Sequence, residues 1–200
     1  MKAALVRPAL PRAIFHVAAG VAIAAALYLL PKTPVLIGLA FGTVIFIVFD
    51  LTRLRLPGLG RRFSKWFAPY LRRAEDARIT GASYFLVGCL VSAVAFQRDI
   101  AMLAILFLSF GDPAATIFGL WKGHVRFWNK SFEGDAACLV VCMAISLLYI
   151  GIFHGPPLVV GIVGAFFAAV FEALPLPVND NLTIPIGSGL IMTIVVALMG

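Results

Sequence analysis

Seven mostly apolar stretches of 17–22 residues, at 13–30, 35–51, 79–96, 100–121, 136–153, 158–174 and 182–199, take up most of this 200-residue chain. Each has the length of a transmembrane helix, about 17 to 25 residues. They lack the alternation of a barrel strand, and lipid offers no partner to free backbone groups, so helices are the expected spans. Composition agrees: 62% of residues are hydrophobic and 12% charged, with a mean hydropathy of +1.03. That is more apolar surface than one core of this size can bury. The expected fold class is all-α: a single polytopic membrane domain over residues 1–200, with about seven transmembrane helices, one of them broken, and an interfacial amphipathic segment.

Seven crossings put the N-terminus and the loops after spans two, four and six on one side. Fourteen of the 16 basic residues fall there, leaving Lys32 and Arg98 opposite. Such asymmetry marks the cytoplasmic side, so the N-terminus and that face are expected in the cytoplasm and the C-terminus across the membrane. The net charge of +7 is then accounted for by topology and anionic lipid, and no nucleic-acid partner is expected. Eight of the nine acids share the basic side, all but Asp99, which points to a polar site there. The first span is long for the core of a signal peptide and is expected to be retained. Cys89, Cys138 and Cys142 lie within spans as small buried hydrophobes.

The loop at 52–78 carries Phe63, Trp66, Phe67, Tyr70 and Leu71 at helical spacing opposite Arg61, Arg62, Lys65, Arg72 and Arg73, with Pro69 interrupting. It reads as an amphipathic segment lying on the cytoplasmic leaflet.

Span four is apolar to Phe110 and then carries Gly111-Asp112-Pro113. An ionisable residue inside a span is costly and marks a functional site. Asp112 suits an N-cap and Pro113 a first helical position, so a helix broken at this point is expected, its second half offering backbone N–H groups as a phosphate cradle. Thr116 and Gly119 follow on one face. In the loop before span five, Lys130 offers a compact charge to phosphate oxygens, Ser131 a hydroxyl and Glu133 a metal or ribose contact. Asp180 and Asn181 stand at the mouth of span seven, Asp180 as metal ligand or base. Arg12 and His16 are four residues apart on one helix face. Asp50 and Arg53, three apart, fit a structural ion pair.

The run G-D-P-A-A-T-I-F-G at 111–119, N-K-S-F-E-G at 129–134 and D-N-L-T-I-P at 180–185 resemble the CTP-dependent lipid kinases, which include dolichol or polyprenol kinase, phytol kinase and CTP-using diacylglycerol kinase. Arg12 with His16, Asp50 with Arg53, and Leu71-Arg72 with Glu75 ahead of Gly81 match in the same order, so the resemblance covers nearly the whole chain. It implies that Asp112 and Gly119 are essential to activity, and that Lys130, Ser131, Glu133 and Gly134 form the nucleotide-phosphate segment. Three departures stand out. Ala13 and Leu120 replace cations usual in the family, and Asp135 replaces a serine, which leaves three alternatives: weaker nucleotide affinity, a charge supplied instead by Lys122, Arg126 or Arg72, or an altered activity.

The resemblance implies transfer of the γ-phosphate of CTP to the hydroxyl of a membrane lipid alcohol, a polyprenol, a phytol-like isoprenoid or diacylglycerol. The catalytic set is Asp112, Lys130 and Asp180, with Mg²⁺ on Asp112 and Asp180 and the hydroxyl proton taken by Asp180 or Glu172. Gly111, Thr116, Gly119, Ser131, Glu133, Gly134 and Asn181 are expected around the nucleotide, and Arg12, His16, Arg72 and Glu75 around the lipid head. Two rival readings are a cytidylyltransferase making a CDP-lipid, which would carry a further H-G-G and D-R cluster, and a small transporter or helper protein, to which the polar 130–134 loop is foreign.

Overall fold

A computed structural model describes residues 6, 9–71, 75, 78–128 and 130–200. Arg72, expected near the lipid head, and Asn129 of the second motif lie outside the described residues. All seven expected spans are helices: α1 (Leu10–Leu29), α2 (Lys32–Arg55), α4 (Gly81–Ala95), α5 (Arg98–Lys122), α6 (Phe132–Phe153), α7 (Leu158–Ala173) and α8 (Asp180–Met199). Among the described residues five are long and apolar enough to cross a membrane, while α4 and α7 are shorter apolar helices. Their starts follow local chemistry. Thr80, Ser131 and Asn179 cap α4, α6 and α8 by accepting from the backbone N–H of Ser83, Gly134 and Asn181.

The helices alternate in direction. At one end Lys32 Nζ donates to Phe96 O, Arg98 Nη2 to Leu30 O and Tyr149 OH to Asp99 Oδ1, so the few charges of that side tie helix ends together. The opposite end gathers Arg12, Asp50, Asp112, Lys130, Glu172 and Asp180.

Helix α5 is the central post: 72% of its most apolar window is buried, against 22–28% for the other four long helices. The cause is compositional, since residues 100–108 are apolar all round and so suit a helix with neighbours on every side. It packs against α1, α4, α6, α7 and α8.

This packing overturns the expected break. Helix α5 runs unbroken from Arg98 to Lys122 with Pro113 inside it. Proline removes one backbone hydrogen bond and crowds the preceding turn, but surrounding helices hold the segment helical, as they can in membrane bundles. No half-helix begins at Asp112, and the expected phosphate cradle does not exist there.

The amphipathic segment is a real helix, α3 (Pro57–Phe67), stopped by a 3₁₀ turn at Ala68–Tyr70 that contains Pro69. Part of its apolar face packs on protein rather than outward. Phe63 is buried, its ring 5.2 Å from that of Phe49 and under the Arg53 guanidinium at 4.9 Å, while Trp66 is exposed. Arg53 is itself fully buried with Asp50. Asp50 Oδ2 accepts from Thr80 N, Thr80 Oγ1 and Ser83 Oγ, and Arg53 Nη2 donates to Glu75 O and Arg78 O. The pair is structural, a latch closing the 56–80 loop onto α4.

Candidate active site

Before α6 the chain forms a hairpin that the sequence did not announce: β1 (Arg126–Phe127) pairs antiparallel with β2 (Lys130–Ser131), Arg126 opposite Ser131 and Phe127 opposite Lys130. Trp128 in its turn has φ of 51°, a left-handed conformation uncommon outside glycine. The hairpin aims Lys130 across the bundle end, where its Nζ donates to Glu172 Oε1 at 2.7 Å and Asp180 Oδ2 at 2.8 Å. Burial alone would push the Lys130 ammonium towards deprotonation, but the carboxylates of Glu172 and Asp180 outweigh it and hold the group above the ordinary lysine value.

Asp112 of α5, Glu172 of α7 and Asp180 of α8 each offer an oxygen within 4.8 Å of the others. Asp112 and Glu172 are buried, and His16 Nδ1 stands 3.7 Å from Asp112 Oδ2. Three converging carboxylates repel one another, and Lys130 offsets only part of that. Glu172 Oε2 is buried without a hydrogen-bond partner among the described residues. Hard oxygen donors from three helices, one of them unsatisfied, fit Mg²⁺.

The cluster lines a cavity of about 280 Å³, joined by Ala115, Thr116, Gly119, Leu120, Arg126, Ser131, Gly134 and Asp135. The structure thus brings together Asp112, Thr116, Gly119, Lys130, Ser131, Gly134 and Asp180, all named from sequence. Of the three cations considered from sequence in place of the one missing at Leu120, Arg126 lines this cavity, brought there by the hairpin. Lys122 is elsewhere, 4.7 Å over the Trp121 ring. Asp135 brings a fourth carboxylate to the lining.

Four expected residues have other partners. Gly111 faces α6, where an added Cβ would stand 2.9 Å from the sulfurs of Cys138 and Cys142. Glu133 accepts from His124 N and Val125 N and so clamps the hairpin approach. Asn181 is buried and donates to Gly81 O at 2.7 Å, joining α8 to α4. Glu75 Oε1 accepts from Arg12 Nη1 at 3.2 Å and from Gly81 N at 3.1 Å. The N-terminus of α6 reaches the cavity through Gly134, but Ser131 Oγ already satisfies the Gly134 N–H and the first turn holds two acids. The positive charge at this cavity is therefore that of the Lys130 and Arg126 side chains rather than of a helix end.

A second cavity, about 220 Å³, opens on the other face of Asp112. Arg12, Ala13, His16, Pro69 and Leu71 line it, and it shares Asp112, Thr116 and Leu120 with the first. A third, of about 620 Å³, lies beyond Lys130 and Asp180 and is bounded by Tyr84, Trp128 and residues 174–179.

Fold and site together define an all-α, polytopic membrane protein with a lysine-bridged carboxylate cluster at one end of its bundle. The chain is related to the CTP-dependent lipid kinases. It is 26% identical, over 94% of its length and 73% of the relative, to a Saccharomyces cerevisiae protein named CTP-dependent diacylglycerol kinase 1. The Eremothecium gossypii protein of that name is 26% identical over 94% of this chain and 67% of the relative, and the Schizosaccharomyces pombe one 24% identical over 73% and 74%. No family model and no solved structure matches the chain.

Proposed function

We propose that this protein is a CTP-dependent lipid kinase, a phosphotransferase that moves the γ-phosphate of CTP to the hydroxyl of a membrane lipid alcohol. The observation that carries this reading is the meeting of two cavities on one face of α5, at Asp112, Thr116 and Leu120. One cavity has the cations and acids that phosphates and Mg²⁺ require; the other leads away past Arg12 and His16. Two reactants entering from opposite sides would meet at Asp112.

Phosphoryl transfer needs positioning and charge neutralisation more than covalent help from the protein. Mg²⁺, when bound on Asp112, Glu172 and Asp180, supplies charge neutralisation at the phosphates. Lys130 and Arg126 take the remaining phosphate charge, and the cavity beyond Lys130 has room for the nucleoside. Lys130 donates to both Glu172 and Asp180, and neither lines the second cavity. Asp112, on the border of both cavities, is better placed to take the hydroxyl proton as the acceptor oxygen bonds to the γ-phosphorus and CDP leaves. This moves the base from Asp180 or Glu172, expected from sequence, to Asp112. The basic asymmetry supports a site facing the cytoplasm.

The test offers purified protein CTP labelled on either the α- or γ-phosphate, together with diacylglycerol, polyprenol and phytol. Label from the γ position in lipid is the expected result, and the favoured acceptor names the substrate. Label from the α position would overturn the kinase in favour of a cytidylyltransferase. Neither label, with solute flux in liposomes, would favour a transporter. Accessibility of a cysteine introduced before Leu10, measured in sealed vesicles, checks the orientation.

A further inference from the structure

Helices α1 and α2 are consecutive, yet they pack on different partners: α1 on α5, α2 on α4. Joined at one end through Leu30 and Pro31, they part towards the other and leave a wedge. Phe15 of α1, Ile45, Phe46 and Phe49 of α2, and Phe63 and Phe67 of α3 line it, enclosing about 510 Å³. Helix α3 is fixed as its wall by the Arg53 guanidinium over Phe63, itself held by buried Asp50.

The wedge is mostly apolar, and its charged and ionisable end is where it reaches Arg12, His16 and Glu75, with Tyr70 and Thr80 as its other polar side chains. Arg12, His16 and Leu71 also line the second cavity, which runs on to Asp112. An apolar slot therefore leads, through one cationic junction, to the carboxylate cluster. At that junction Arg12 Nη2 is buried and lacks a hydrogen-bond partner among the described residues.

We propose that this wedge seats one hydrocarbon chain of the acceptor lipid, with Arg12 and His16 at its head and the hydroxyl delivered to Asp112; this rests on the lipid-kinase reading. An amphiphile is what the lining fits: burying a chain among phenylalanines is favourable, and an oxygen-bearing head relieves the unpaired guanidinium N–H. The wedge is then the place where chain length and branching are read, and α3 is part of the substrate site as well as a surface anchor.

Ile45→Trp should fill the wedge without touching the latch. The expected result is a rise in KM for a long-chain acceptor of about tenfold, the loss of roughly two buried methylene groups, with KM for CTP and the rate on a short-chain acceptor within about twofold of wild type. Val44→Trp, on the adjacent face outside the lining, should change neither. Equal effects on long and short acceptors, or none on either, would overturn the proposal.

A second measurement does not depend on phosphate transfer. A fatty-chain alcohol bearing a diazirine, in nanodiscs, should label Phe46, Phe49, Phe63 or Phe67, and unlabelled long-chain alcohol should compete. Label confined to outward residues such as Phe41, Val44 and Val48, without competition, means ordinary bilayer contact and overturns the seat. Competed labelling in a protein that transfers no phosphate would leave the seat standing and defeat the kinase reading alone.

Discussion

Lys130 and Glu172 stand 42 residues apart in the chain and 2.7 Å apart in space, so the hairpin before α6 is bound to the end of α7 through an ammonium that also reaches Asp180. In the proposed mechanism the pair couples phosphate charge to the carboxylates that would hold the metal. Removing the lysine therefore has two effects of opposite sign. In Lys130→Ala the transfer rate should fall by about 10² to 10³, the size of losing one charged transition-state contact. The Mg²⁺ concentration for half-maximal activity should also fall, because the acids lose their internal cation. A magnesium titration of kcat separates the two.

Asp112→Asn keeps the shape and removes the charge. The expected loss in kcat is about 10² to 10⁴ even at saturating Mg²⁺, as for removal of a general base, together with a raised Mg²⁺ requirement because Asp112 is also proposed to hold the metal. Glu172→Gln should act differently, raising the Mg²⁺ requirement by about tenfold or more with a smaller loss at saturating metal. EDTA should abolish turnover in the wild type and excess Mg²⁺ restore it. Turnover unaffected by EDTA would remove the metal.

For Lys130 the direction of the shift decides the pH behaviour. Its ammonium is held above the ordinary lysine value, about 10.4, so its attraction to Glu172 and Asp180 is complete below that value and is lost only as pH rises through the raised one. Activity lost between about pH 8 and 10 must then come from another group. The alkaline limb of Lys130→Arg should superimpose on that of the wild type, whatever its height.

Arg53→Ala strands Asp50 in a fully buried position with only hydroxyl and backbone donors. A cost of about 3 to 5 kcal/mol is expected, read as a large fall in the unfolding temperature in detergent. Replacing both residues by leucine should recover part of the loss, since two apolar groups leave no buried charge unpaired.

Gly81 is where Arg12, Glu75 and Asn181 converge, and a Cβ there would stand 2.8 Å from Arg12 Nη2 and 3.1 Å from Glu75 Oε1 and Asn181 Nδ2. Gly81→Ala should destabilise by about 1 to 3 kcal/mol and displace Arg12. The expected kinetic signature is a higher KM for the lipid acceptor at unchanged KM for CTP.

Much of the site was legible because its residues are polar exceptions in an apolar chain. Asp112 announces itself within span four, and Lys130 and Asp180 stand at helix starts. Glu172 was visible as an acid near the end of span six, but nothing local says that it meets Asp112. Gly111, Glu133 and Asn181 were expected at the nucleotide for their company in sequence, yet one turn of a helix separates a lining position from a packing one. Asn181 follows Asp180 and points to Gly81 instead. Leu120 marked a missing cation; that Arg126 brings one to the cavity depends on the hairpin, whose two-residue strands carry no periodic signal.

By itself the sequence determined the seven helices and which ends share a side, because spanning a membrane requires a long apolar run and the positive charges sort by side, and both are local properties. Tertiary structure decided that α5 continues through Pro113, that three acids from three helices share one cavity with Lys130, and that α1 and α2 part to leave a wedge. Each of these follows from contacts between residues far apart in the chain, where packing overrides the local preference of a proline or the adjacency of a motif.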